Sequence, residues 1–273
     1  MSETAALLEL AAEAARTAGA LLAERVRHGA EREVMAKSTP TDLVSEADIA
    51  SQRTIRELLE RRRPEDGFVG EEEGSSKSGG SGLDWVVDPL DGTVNFIFGI
   101  PHWSVSVAVR DAQGVLAGVV YDPNRDELFS ARRDGLATLH SADGESELAG
   151  PDGAFGGGRG SSGLADKMVA TGLSYDAHVR GAQAKVLARL VSRVRDIRRF
   201  GSAALDLAWT ATGRYDAYFE RAVKQWDIAA GALICERAGL RVLELPVHPN
   251  LPWGILAAPP AIAERLLELV GGP

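Results

Sequence analysis

Two aspartates three positions apart, Asp88 and Asp91, followed directly by Gly92-Thr93, are the residues of this sequence best suited to chemistry. They lie within Leu83-Asp84-Trp85-Val86-Val87-Asp88-Pro89-Leu90-Asp91-Gly92-Thr93-Val94-Asn95-Phe96. The apolar run Trp85 to Val87 reads as a short buried strand that ends in an acid. Pro89 lacks the N–H that a ladder uses, so the strand is expected to stop there and Gly92-Thr93 to open a helix. Two carboxylates this close at the end of a buried strand repel each other unless positive charge lies between them, and a divalent cation is the economical answer. The backbone N–H groups of Gly92 and Thr93 suit an anion such as phosphate.

Other acids repeat parts of this pattern. Phe68-Val69 leads through Gly70 into Glu71-Glu72-Glu73, again a strand followed by carboxylates. Glu71 is therefore a ligand candidate as well as a member of a solvated acidic run. Asp48 falls in the first turn of a helix that runs to about Arg63 on Ile49, Ile55, Leu58 and Leu59, with Thr41 or Ser45 as its cap. An acid there suits the helix dipole, and taken alone Asp48 needs no further role. Asp227 opens an otherwise apolar helix, a common place for Asp. It becomes a ligand candidate only if that helix start faces the Asp88–Asp91 corner. Lys37 reads as a surface charge and His102 as a structural residue.

The elements that must position these residues are legible in outline. Residues 4–27 carry apolar residues at helical spacing, among them Leu7, Leu10, Ala14, Ala18 and Leu22. The Gly- and Ser-rich stretch 74–82 reads as a flexible loop near the site. After the central stretch, Trp103 to Val109, Val115 to Tyr121 and Glu127 to Ala131 read as three antiparallel strands joined by short turns. Residues 141–163, rich in Gly and Ser, read as a loop between two halves, and no Gly-Lys-Ser/Thr ending marks a P-loop. Strands and helices alternate beyond it. Strands are expected at Met168 to Thr171, Ile197 to Phe200, Asp216 to Glu220, Leu240 to Leu245 and Gly254 to Ala257. Helices are expected at Val179 to Arg195, Ala203 to Thr212, Trp226 to about Gly239 and Pro259 to Val270. The pattern is α/β.

Composition removes several classes. The 273 residues are 45% hydrophobic, enough for a large core. A formal net charge of -9 argues against a nucleic-acid or anionic-membrane binder, so neither partner is expected. It leaves a phosphorylated substrate open, because bound metal ions reverse the local field. The single cysteine, Cys235, excludes an intramolecular disulfide and a Cys-based zinc site, and a reducing cytoplasm fits. Glu3, Glu9 and Glu13 stand where a signal peptide would be basic, so none is expected. No apolar run approaches a membrane span.

Taken in order, these motifs resemble the inositol monophosphatase family over about residues 5–270. Trp85 to Phe96 looks like its first signature and Trp226-Asp227-Ile228-Ala229-Ala230-Gly231 like its second. Gly70-Glu71-Glu72, the segment from Lys37 through Asp42 to Asp48, Gly201-Ser202-Ala203-Ala204 and Asp216 to Glu220 also match. Val94 replaces a frequent Thr, Glu236-Arg237-Ala238-Gly239-Leu240 lacks a common second Gly, and the Gly-rich 150–163 segment is atypical.

The resemblance implies a layered α-β-α-β-α fold, with an antiparallel sheet in the first half and a mixed sheet in the second. It implies one catalytic unit with sub-lobes of about 1–145 and 165–273, two or three Mg²⁺ ions, lithium sensitivity and a homodimer. It implies metal ligation by Glu71, Asp88, the Leu90 carbonyl, Asp91, Thr93 and Asp227. Catalytic residues would be Asp48, Thr93 and Glu71, with Thr93 and Asp48 helping to accept the proton of the attacking water and no phosphoenzyme formed. Asp91, Gly92, Thr93, the Ala203 backbone and Glu220 would bind substrate, a small phosphorylated polyol. Three functions follow as expectations: an inositol-1-phosphate phosphatase, the same chemistry on histidinol phosphate, fructose-1,6-bisphosphate or a 3′-phosphonucleotide, and a non-catalytic regulatory homologue.

Overall fold

In the computed structural model, residues 2–28, 34–36, 43–72, 76–151 and 163–272 are described. Among them the two large sheets and three pairs of helices stack as five layers. The alternation of side chains along the strands is what builds the layers. In β4 (Asp84–Asp91), Trp85 and Val87 point into one core while Val86 points into the next. The first of these cores is closed by α1 (Glu3–Arg27) and α2 (Glu46–Arg62), through Leu7, Ala14, Leu22, Ile55 and Leu59. The central core is filled by α5 (Ala203–Ala211) and α6 (Gln225–Arg237), which lie between the sheets. The second sheet repeats the device. Ala170 and Tyr218 face the central core, whereas Val169, Ala217 and Phe219 face α4 (Ala177–Leu190) and α7 (Pro260–Val270). The result is the α-β-α-β-α order that the family resemblance implied.

The first sheet has seven strands in sequence order: β3 (Gly67–Gly70), β4, β5 (Ser104–Asp111), β6 (Gly114–Asp122), β7 (Glu127–Arg132), β8 (Ala137–Ser141) and β9 (Gly144–Glu147). It is not wholly antiparallel as expected. β3 and β4 run parallel, with Gly67 opposite Asp84 and Gly70 opposite Val87. That parallel pair sets Glu71 and Asp88 at the same end of adjacent strands. The second sheet is mixed, in the order β11 (Asp196–Arg198), β10 (Met168–Thr171), β12 (Ala217–Arg221), β14 (Gly254–Ala258), β13 (Arg241–Leu245), with the first three parallel.

Two further local expectations are corrected. β4 continues past Pro89: its register slips between Asp88 opposite Ser106 and Asp91 opposite Ser104, and the extra residue is a bulge that tolerates a missing N–H. Residues 144–147 form an edge strand, not a loop; all four are exposed, so no apolar alternation marks them. A ribbon of β1 (Val34–Ala36) and β2 (Leu43–Ser45) precedes α2. Lys37, Thr41, Asp42 and Glu73 lie outside the described residues. Among the described residues no helix is long and apolar enough to cross a membrane.

Helix α6 packs against the first sheet at bare backbone. A Cβ on Gly118 of β6 would come within 2.7 Å of the Ala230 Cα and 3.0 Å of its Cβ. Gly118→Ala should therefore push α6 outward and destabilise the fold by about 1–3 kcal/mol. Thermal unfolding would register this as a fall of several degrees, and an unchanged Tm would mean that the helix is not held this tightly.

Candidate active site

The bulge in β4 aims the central residues. Asp88 is 2% exposed, and its Oδ1 accepts the Leu90 N–H at 3.0 Å, which turns the chain and frees the Leu90 carbonyl. That carbonyl lies 3.0 Å from the Thr93 Oγ1. The same hydroxyl lies 2.7 Å from Asp48 Oδ1, and its single proton goes to this shorter, charge-assisted partner. Gly92 is required twice over. Its φ is 93°, and a Cβ there would stand 3.1 Å from the His102 carbonyl and 3.3 Å from that of Gly201. Thr93 then opens α3 (Thr93–Phe98).

Helix α2 is turned so that its polar face meets this corner. Asp48 is fully buried, whereas Ile49, expected on the apolar face, is 47% exposed. Ser51 donates to the Pro89 carbonyl at 2.7 Å, and Gln52 accepts the Glu72 N–H at 3.2 Å. These two residues stitch α2 to the ends of β3 and β4. The sequence reading passed over them, although three polar residues on one helical stripe are a signal that the stripe faces something other than a core.

The second half of the chain closes the site from two helix starts. Asp91 accepts from the Ser202 hydroxyl at 2.5 Å, the Ala204 N–H at 2.8 Å and the Ala203 N–H at 3.3 Å, so it sits at the N-terminus of α5. Ser202 is the cap of that helix and was missed as a partner of Asp91. The start of α6 faces the Asp88–Asp91 corner, the condition set for Asp227. The Trp226 carbonyl accepts from Ser106, the residue opposite Asp88, at 3.3 Å. Asp227 itself accepts the Lys224 N–H at 2.7 Å. Glu220, half-buried on β12, accepts the Tyr218 hydroxyl at 2.8 Å. His102 is buried against Phe200 and Trp209, and burial, helped by the Arg125 charge, lowers it to about 4, so it is a neutral packing residue at pH 7.

The electrostatics are those of negative charge crowded together. Burial, then Glu71, Asp91 and Asp227, holds Asp88 well above the usual carboxylate range. Burial and then Glu71 do the same to Asp227. Burial raises Asp91 to about 6 against the opposing hydrogen bonds from Ser202 and Ala204. Glu220 is pushed up to about 7, chiefly by burial. Asp206, fully buried one turn into α5, is also raised well above its usual range by burial and then by Glu220 and Asp91. Its place in the apolar-looking Leu205-Asp206-Leu207-Ala208 gave no hint of this. Among the described residues no three His, Cys, Asp or Glu side chains stand preassembled as a coordination sphere. Instead Asp48, Asp88, Asp91, Asp227 and Glu220 each accept from nearby N–H or O–H donors. The donor set is all hard oxygen, and its mutual repulsion is the property that Mg²⁺ relieves, so the residues fit that ion and not a thiolate-bound metal.

The model of the Inositol monophosphatase family matches residues 3–271. The inositol-1-monophosphatase SuhB of Mycobacterium tuberculosis is 40% identical over 239 residues, covering 86% of this chain and 80% of that protein. The Nus factor SuhB of Pasteurella multocida is 37% identical over 271 residues, covering 97% and 95%. The crystal structure of the extragenic suppressor protein SuhB from Bartonella henselae superposes with a TM-score of 0.84 at 32% identity, covering 97% of this chain and 98% of that one.

Proposed function

The chain belongs to the inositol monophosphatase family, whose chemistry is generally Mg²⁺-dependent phosphatase chemistry, and from that premise we propose that it hydrolyses myo-inositol-1-phosphate to inositol and phosphate. The observation that carries this reading is the 2.7 Å Thr93–Asp48 hydrogen bond beside the buried Asp88, whose carboxyl is raised by burial and by the charges of Glu71, Asp91 and Asp227. Glu71, Asp88, Asp91, Asp227, the Leu90 carbonyl and the Thr93 hydroxyl would hold the ions. When bound, Mg²⁺ supplies charge neutralisation and Lewis acidity toward water and phosphate oxygens.

The chain's own residues do the rest. The Thr93 hydroxyl takes a proton from the attacking water as it passes its own to Asp48 Oδ1, and Glu71 orients that water. The Gly92 and Thr93 N–H groups hold phosphate oxygens. Asp91, the Ala203 backbone and Glu220 bind the polyol hydroxyls. Water attacks directly, with no phosphoenzyme. Because Asp91 and Ser202 join the two halves, residues 1–273 act as one catalytic unit, in a homodimer sensitive to lithium.

A kcat/KM panel over myo-inositol-1-phosphate, histidinol phosphate, fructose-1,6-bisphosphate and a 3′-phosphonucleotide, with Mg²⁺, tests the substrate. The inositol ester should lead, by about tenfold or more if one charge-assisted hydrogen bond to Glu220 sets the preference. A different leader would replace it while keeping the chemistry. A second reading, favoured by the name Nus factor on relatives such as that of Pasteurella multocida, is a regulatory role through partner proteins. The net charge of -9 makes direct nucleic-acid binding an unfavourable route to it. Pull-down with an inactive Asp88→Asn variant would reveal such partners.

A further inference from the structure

We infer that Gly172 is a specificity-determining position, whose missing side chain lets the Glu220 carboxylate stand where it accepts the hydroxyls of a polyol leaving group. The inference rests on the polyol reading of Glu220 above. Strands β10 and β12 are parallel, with Val169 opposite Ala217, Ala170 opposite Tyr218 and Thr171 opposite Phe219. The next step of that register sets Gly172 beside Glu220. Side chains at paired positions stand on the same face of a sheet. Here the Glu220 side chain folds across its neighbour's place. The three atoms nearest a Cβ built on Gly172 are the Glu220 carboxyl carbon and its two oxygens, all close enough to overlap with it.

Backbone conformation does not explain this glycine. Gly172 is absent from the glycines with positive φ, so any residue could adopt its backbone. Space is the reason. The other side of the carboxylate is held by Tyr218, two residues back on the same face of β12 and fully buried, whose hydroxyl donates to Glu220 Oε2 at 2.8 Å. The carboxylate is thus fixed between a hydroxyl and a stretch of bare backbone, on a residue that is half-buried. The atoms in the way of an added methyl are the far end of a flexible side chain. Gly172→Ala therefore displaces Glu220 rather than the strands, and it leaves the carboxylates of β4, α2 and α6 where they are.

The experiment compares wild type, Gly172→Ala, Glu220→Ala and the double variant, full-length and with Mg²⁺. The two substrates are myo-inositol-1-phosphate and p-nitrophenyl phosphate, whose leaving group carries no hydroxyl partner for Glu220. Gly172→Ala should raise KM for the inositol ester by about tenfold or more with kcat changed much less. For the aryl ester kcat/KM should stay within about twofold, and the double variant should be no worse than Glu220→Ala, since both changes act through one group. Equal losses on both substrates, an unchanged KM, or losses that add in the double variant would overturn the inference. Failure of the polyol reading has its own signature: Glu220→Ala then leaves the ratio of the two substrates unchanged, which sinks both.

Discussion

Asp88→Asn should lower kcat/KM for a phosphate monoester by at least about 10³-fold, the scale on which charge stabilisation at a developing oxyanion acts. The variant keeps the shape of the side chain and its hydrogen bond from the Leu90 N–H, so the bulge in β4 should survive. What it removes is the central charge of the cluster. In the protein without metal that charge is a liability, because Asp88 is buried beside Glu71, Asp91 and Asp227. The variant should therefore unfold, in EDTA, at a temperature equal to or above that of wild type, while losing the rise in Tm that saturating Mg²⁺ gives wild type. A variant that retains full turnover would remove the basis for the mechanism. One that is inactive because it is unfolded would show that Asp88 is structural, and the Tm distinguishes the two.

Asp48→Asn is expected to have the second largest effect, a fall in kcat of about 10²–10⁴-fold, the usual worth of a positioned general base. Asparagine can still accept the Thr93 hydroxyl at the 2.7 Å separation, but it cannot take up the proton. KM and Mg²⁺ affinity should change far less. Thr93→Ala should give a loss of the same order, and the double variant should be little worse than the poorer single one, because the two residues act as a unit. Additive losses in this cycle would mean that Asp48 and Thr93 work separately and that the proton leaves by another route.

The layered fold, and the burial of Asp88 at the end of a strand, were legible because each leaves a periodic or a motif signal. Trp85-Val86-Val87 announces a strand buried on both faces, and the helices between the sheets carry unbroken apolar runs such as Ile228-Ala229-Ala230-Gly231. Geometry that depends on pairing left no such signal. Nothing local distinguishes a parallel β3–β4 edge from an antiparallel one, yet that edge brings Glu71 to Asp88. The bulge at Pro89 is set by the opposing strand, where Ser104 and Ser106 take up the slip. β9 is polar on both faces and reads as loop. Ile49 misled because α2 buries Asp48, Ser51 and Gln52 in its place; a helix that serves a site breaks the hydrophobic pattern where it does so. For Asp227 the spacing supplied only a condition, and the Ser106–Trp226 contact meets it. Gly172 meets the Glu220 carboxyl, and Asp206 feels burial first and then Glu220, a neighbour that sequence spacing does not reveal.

The most direct test of the central claim is phosphate release from myo-inositol-1-phosphate by the full chain as Mg²⁺ is titrated into EDTA-treated protein. The account predicts no release in EDTA, saturable restoration by Mg²⁺, and none at any Mg²⁺ concentration for Asp88→Asn. Release that is indifferent to EDTA, or equal in wild type and the variant, would contradict it.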